Sequence, residues 1–197
     1  MEAGLELFGT LGYARTSIRA VSAAASLNSR YFYESFSSRE DLLYCVYQRI
    51  VGDIFTRASE ATAREDTIEA QARAGLRAGW TAVTEDRRKA RVVALEVVGV
   101  SERLERLRRE TRHVLAQLTA DRALSLSGGV RLRLDPVLTA RFLMGGVVEI
   151  LADWINGDVD ASVDEVIEHF TALFAAAASA AVADDTPARC PRPDAKQ

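Results

Sequence analysis

Proline is absent from the first 135 residues. Pro136 is the one proline before the last segment, where Pro187, Pro191 and Pro193 cluster. Proline removes a backbone donor and clashes with the preceding helical turn, so a chain without it can stay helical over long stretches. The intervening residues are rich in Ala, Leu, Glu and Arg, which lose little freedom on entering a helix. Pro136 fits the same pattern because Asp135 precedes it. That is an N-cap followed by proline at the first helical position, where the missing N–H has no partner to lose. The chain is expected to be all-α.

Apolar spacing predicts about nine helices. The first runs to about Leu11 with Leu5, Phe8 and Leu11 as its stripe. The second covers about Ser17 to Ala25, capped by Thr16, with Ile18, Val21 and Ala25 on one face. A break at Ser26-Leu27-Asn28 follows, and Asn28 caps a third helix from Ser29 to about Ser35 with Phe32 and Phe36 inward. Ser22 and Ser26 place small residues where these two helices cross. Two short helices, a tight turn and apolar anchors on both sides describe a helix-turn-helix.

A capping box of Ser37 and Glu40 is expected to open a long fourth helix, to about Ala61. After a break at 63–66, a fifth spans about Thr67 to Thr84, and a sixth starts near Asp86 and holds the apolar run Val92 to Val98. A charged seventh covers Ser101 to Ala123, and a loop from Ser127 to Leu134 follows. The eighth runs from Pro136 to about Asn156, and a Ser162–Glu165 capping box opens a ninth that reaches about Ala183. Residues 184–197 are polar and proline-rich and are expected to be disordered.

The third helix has an unusual outer face. Ser29, Arg30, Tyr31 and Tyr33 lie off the Phe32/Phe36 stripe. Arginine can donate two hydrogen bonds to guanine in the major groove, and tyrosine offers a hydroxyl to phosphate and a ring to a thymine methyl. The alternative is a solvated Arg30 between half-buried tyrosines. Arg39, in the first turn of the fourth helix, can meet a phosphate where the helix dipole is positive.

The run LELFGTLGYARTSIRAVSAAASLNSRYFYESFSSREDLL resembles the DNA-binding domain of the tetracycline-repressor (TetR) family. The resemblance rests on Gly12-Tyr13 at the end of an apolar helix, the Thr16-Ser17 pair, Tyr33 to Phe36, and Ser38-Arg39-Glu40. It covers about the first 55 residues. Two positions depart from the family pattern: Ser26 stands where a turn glycine is usual, and Tyr31 where a small residue or Thr is usual. The family also carries a further turn and a basic arm before this point. The expected DNA contacts are Thr16, Ser17, Asn28, Ser29, Arg30, Tyr31, Tyr33 and Arg39.

What the resemblance implies for the whole chain is a three-helix DNA-binding domain over 1–45, a helical ligand-binding and dimerisation domain over 46–183, and the tail 184–197. The fourth helix, from about residue 38, links the first two. The family dimerises through a four-helix bundle of its last two long helices. The eighth and ninth helices here are apolar on more than one face, which calls for two partners. Phe142, Gly145, Gly146, Trp154, Val166, Phe170, Leu173 and Phe174 are the expected dimer contacts, with ordinary packing inside one chain as the alternative. The family also keeps a ligand pocket in the body, for which Trp80, Glu96, Val100, Leu104, Phe142 and Met144 are candidates. Glu96 interrupts a valine-rich run, and a buried carboxylate needs a partner: a ligand, or an arginine such as Arg91 or Arg103.

Charge and composition narrow the function. The net charge of −3 does not advertise nucleic-acid binding, although residues 1–39 carry four arginines against three glutamates. Met1-Glu2 opens an acidic helix rather than a basic leader, and the longest apolar runs fall short of the roughly 20 residues that span a bilayer. Two cysteines, Cys45 and Cys190, make no disulfide framework, so a reducing cytoplasm is expected. His113 and His169 lie in separate helices without metal-ligand spacing. No nucleophile motif or phosphate loop occurs. No catalytic residue, metal or cofactor is expected. The reading is a ligand-responsive homodimeric repressor on a palindromic DNA operator, with a helical adaptor that no longer binds DNA as the runner-up.

Overall fold

The computed structural model of the chain describes residues 1–126 and 134–181, and it holds no strand among them. Among the described residues nine α-helices follow one another: α1 (Glu2–Thr10), α2 (Ile18–Ala24), α3 (Ser29–Ser35), α4 (Arg39–Thr62), α5 (Ile68–Thr84), α6 (Arg87–Arg91), α7 (Glu102–Leu126), α8 (Pro136–Asn156) and α9 (Val163–Ala181). α6 runs without a break into a π-turn, Val92–Glu96. The expected Ser127–Leu134 loop, apart from Leu134, and the expected tail lie outside the described residues.

Local chemistry explains most of the boundaries. Asp135 accepts from the backbone N–H groups of Val137 and Leu138, and Pro136 follows it. Gly157 ends α8 at φ +82°, a left-handed conformation that a side chain disfavours. Ser162 and Glu165 form the reciprocal box at the start of α9. Two caps differ from expectation by one residue. The cap of α2 is Ser17, which accepts from the Ala20 N–H, and Thr16 instead points inward. The cap of α4 is Ser38, which accepts from Asp41 N–H, while the Asp41 carboxylate accepts from Ser37. Glu40, freed from the cap, accepts from the Ser101 hydroxyl at 2.7 Å and so joins α4 to the start of α7.

The core forms two main clusters, and the first does not stop at residue 45. Phe8, Val21, Phe32, Leu42, Leu43 and Val46 pack together, and Val92, Val97 and Leu104 from the body complete the same cluster. A second cluster gathers Trp80, Val83, Ala90, Ala94, Leu151, Ile155, Val166 and Phe170. α6 and its π-turn belong to both, which places this short segment between head and body. A small third cluster, Ala116, Ala120 and Ala140, holds α7 against α8.

Candidate nucleic-acid interface and body cleft

α2 and α3 cross through small residues. Ser22 is buried, and Ser26 turns the chain at φ +56°, where the family's usual glycine would be unstrained. Asn28 accepts from the Arg30 N–H at 3.0 Å and starts α3. Phe32 is buried and lies tilted against Phe36 at 5.6 Å, which fixes the inward face. The outward face is then set by the helical period. The side chain of Arg30 is 87% exposed, with only Glu34 in loose ion-pair range at 3.7 Å. Tyr31 and Tyr33 are 55% and 60% exposed. Ser17, Asn28 and Ser29 lie at the helix starts beside them.

Two expected DNA contacts serve the fold instead. Thr16 is 1% exposed, and its hydroxyl is within hydrogen-bond reach of the Leu7 and Gly12 carbonyls, so its side chain cannot reach DNA. Arg39 donates to the Thr16 carbonyl and lies 4.0 Å above the Tyr13 ring. It clamps the start of α4 onto the α1–α2 connection, and any phosphate would compete with that clamp. Asp41 is fixed nearby. The Ser37 backbone N–H, and then Arg103, hold its carboxyl below the usual range.

The joint between head and body is close. A Cβ on Gly9 would stand 2.6 Å from the Arg88 Cα and 2.4 Å from its Cβ, so α1 and α6 touch backbone to backbone. Arg88 also pairs with Glu6, with Glu2 and with Asp86. Glu96, at the end of the π-turn, accepts from the Tyr13 N–H at 2.6 Å and from Arg91 Nε at 2.8 Å. Gly12, at φ +91°, leaves room for this carboxylate. Glu96 is therefore no ligand contact: its charge is spent on the head, and the pairing with Arg91 foreseen as the alternative is the one present. Farther along, the Arg57 guanidinium, and then Lys89, draw the Glu85 pKa down to about 2 and tie α4 to α5.

The remaining expected pocket residues do not line one cavity. Trp80 is buried in the second cluster, edge-on to Trp154 at 6.4 Å. Leu104 and Val100 belong to the first cluster, and Met144 is buried. Phe142 is 75% exposed and lines neither of the two clefts described next. The space lies elsewhere. A cleft of about 440 Å³ is walled by Ala94, Leu95 and Val98 of the π-turn region, by Arg108 and Arg112, and by Gly145, Val148, Glu149 and Ala152 of α8. A second, of about 370 Å³, shares Arg112 and Gly145 with it and adds Arg109, His113 and Arg141. Such a cleft has no signature in a single helix, because three separate segments make it.

The expected dimer contacts divide in a similar way. Val166 and Phe170 are buried in their own chain, and Phe170 reaches to 3.8 Å of a Cβ on Gly146. Trp154 packs on Trp80, and Phe174 is half-buried. Phe142 and Leu173 are open to solvent, as are Gly145 and Leu138. Leu138, Phe142, Gly145 and Glu149 follow at helical spacing, which makes them one stripe of α8.

Residues 1–44 match the sequence model of bacterial regulatory proteins of the tetR family. The match assigns these first 44 residues to that family's DNA-binding domain. The chain thus opens with the DNA-binding domain of a transcriptional regulator, with α2 and α3 as its helix-turn-helix. No curated protein matches the sequence. Among solved structures, the chain is similar to the transcriptional regulator FadR from Bacillus subtilis in complex with stearoyl-CoA, at 18% identity and a TM-score of 0.78, over 89% of this chain and 96% of that one. It is also similar to the TetR family regulator PfmR from Thermus thermophilus, at 18% identity and 0.69, over 88% and 94%. The superantigen PfiT shares the fold at 18% identity and 0.69, over 87% and 92%. One fold thus serves regulators and a superantigen alike, and function has to be argued from the sites. No described helix of this regulator is long and apolar enough to cross a membrane.

Proposed function

We propose that this regulator is a cytoplasmic, homodimeric repressor that reads a palindromic operator through α3 and releases it when a small molecule enters the body. The outer face of α3 carries the reading. Arg30, Tyr31 and Tyr33 stand exposed on a helix anchored by the buried Phe32, which Tyr33 touches only edge-on. A major-groove reader needs such a face, whereas a helix kept only for packing does not. The head would end near residue 45 and the body would carry ligand and dimer functions, with α4 running from one into the other.

Dimerisation through α8, with Leu173 of α9 beside it, suits the exposed stripe of Leu138 and Phe142. An aromatic ring open to water next to an apolar neighbour is a common mark of an interface. Two heads would then sit roughly 34–36 Å apart, or a multiple of it, to enter successive major grooves. For the switch, the π-turn offers a path. Ala94 and Leu95 wall the cleft, and the adjoining Glu96 holds the Tyr13 N–H of the head. A ligand that shifts the turn would move the head, by no more than its differential affinity for the two states. The B. subtilis FadR complex with stearoyl-CoA makes a small-molecule effector natural for this fold.

Selection of binding sites from random DNA tests the reading. Wild-type protein should enrich an inverted repeat. Arg30→Ala should lose preference at one base position in each half, by about 1–3 kcal/mol. Phe142→Glu should enrich only half-sites, because a monomer gains nothing from the second. Salt-independent, weak retention on DNA by the wild type would indicate the helical adaptor instead.

A further inference from the structure

Where α7 and α8 part, positive charge collects, with Glu105 one turn away as the carboxylate that feels Arg109. The two helices touch through Ala116, Ala120 and Ala140. Toward the start of α7 the alanines give way to Arg109, Arg112 and His113, and across from them α8 presents Arg141 and Gly145. Arg108 is already closed onto Glu105, at 2.9 and 3.0 Å. Among the described residues no carboxylate lies within ion-pair distance of Arg109, Arg112 or Arg141, although Glu149 stands on the neighbouring wall. Arg141 Nη2 lies 2.6 Å from His113 Nδ1. A guanidinium can only donate, so Nδ1 accepts and the imidazole aims the guanidinium rather than neutralising it.

The adjoining cleft has the opposite character. Leu95 and Val98 form one wall and Val148 and Ala152 the other, and Val98 is 49% exposed although it is an aliphatic side chain. The clefts meet at Arg112 and Gly145, so the charged and apolar spaces are contiguous. Each volume falls in the range of roughly 300–1,000 Å³ usual for small-molecule sites. A neutral ligand would leave the guanidiniums unused, and an inorganic anion would leave the apolar wall wet.

We propose that this double cleft binds an anionic amphiphile, with a carboxylate or phosphate head on Arg109, Arg112 and Arg141 and an aliphatic chain along Leu95, Val98, Val148 and Ala152. Planar guanidiniums suit both heads, because each can donate two parallel hydrogen bonds to paired oxygens. The site deepens the effector reading above, but binding itself does not depend on it.

Calorimetric titration of the full chain with dodecanoate, lauroyl-coenzyme A, coenzyme A and dodecanol, each below its micelle concentration, tests the site. At least one of the two anionic amphiphiles should bind about tenfold or more tightly than dodecanol. Arg112→Gln and Arg141→Gln should each weaken that anion by about tenfold while leaving dodecanol unchanged. Preference for lauroyl-coenzyme A, with competition by coenzyme A, assigns a phosphate head. Preference for dodecanoate, without such competition, assigns a carboxylate. Equal binding of dodecanol, or no loss in either variant, overturns the proposal. So does a change in dimer dissociation on sedimentation with unaltered titrations, which would give the arginines to a contact with a second copy. Operator release is measured apart: an anion that binds without releasing DNA removes the regulatory reading and leaves the site, whereas release by other effectors with no anion binding removes the site alone.

Discussion

Gly9 and Gly145 both sit inside helices, and their surroundings could hardly differ more. Gly9 is buried where α1 meets α6, with the Arg88 backbone in the place a Cβ would take. Gly145 is exposed on α8, at the shared edge of the two clefts, and a Cβ there meets nothing within 4 Å. The segment from α6 to Val98 faces both regions. One side of it is packed to backbone contact against the head, and the other borders open space. A signal can pass only if one side is stiff enough to transmit a shift and the other loose enough to admit one. The difference between the two glycines marks which side is which.

The largest effect is expected at the stiff side. Gly9→Ala puts a methyl into the Arg88 main chain, which cannot rotate away as a side chain could. A clash of this kind usually costs about 1–3 kcal/mol, and a backbone neighbour puts it at the upper end. Urea unfolding should show the loss, and operator affinity should fall with it because α1 no longer docks. Wild-type stability in Gly9→Ala would mean that α1 and α6 are not in contact in solution.

The next effect belongs to the carboxylate that joins the two regions. Glu96→Ala leaves the Tyr13 N–H without its acceptor and Arg91 without its partner, a loss of about 1–3 kcal/mol for a partly buried, charge-assisted pair. Its distinctive result is in coupling. The variant should still bind effector in the body while the effector's ability to weaken operator binding shrinks. Coupling as large as in the wild type would move the path away from the π-turn, to α4.

Why some of this was legible in the sequence follows from where each feature is encoded. Asp135-Pro136, Asn28 and the Ser162–Glu165 box act within one turn of chain, and each cap formed where it was expected. The outer face of α3 could be read for the same reason, since Phe32 and Phe36 fix the helix and the period does the rest. Thr16 shows the limit. Thr16 and Ser17 are both good caps, and what separated them was the Leu7 and Gly12 carbonyls, which captured the Thr16 hydroxyl from another part of the fold. The pocket failed more fully. Trp80 and Phe142 were conspicuous as large side chains, yet one is core and the other is open to water. The residues that do wall the cleft are small or charged, and nothing local distinguishes Arg112 from the other arginines of α7. Gly9 and Gly145 likewise read alike as letters, because a glycine's role depends on what stands opposite it.

The smallest effect, and the sharpest use of the contrast, is Gly145→Ala. In a helix interior the change from glycine to alanine stabilises by about 0.5–1 kcal/mol when nothing obstructs the methyl, since the unfolded chain loses freedom and the helix gains a better former. Nothing in this chain obstructs it. The same substitution that damages the joint should therefore strengthen α8, with opposite signs at two helical glycines of one protein. Gly145 also lies on the stripe with Leu138 and Phe142, and this is where the proposed dimer enters. If a second copy brings a helix backbone close to Gly145, the methyl pushes it away, and unfolding measured at falling protein concentration should show a loss that grows on dilution. A gain of about 0.5–1 kcal/mol that is independent of concentration places Gly145 at the cleft edge and outside the seam, with Phe142 and Leu138 left to form the contact. A loss at every concentration, dilute or not, would mean that the cleft is closed in solution and that the two sides of the π-turn are not as different as their glycines indicate.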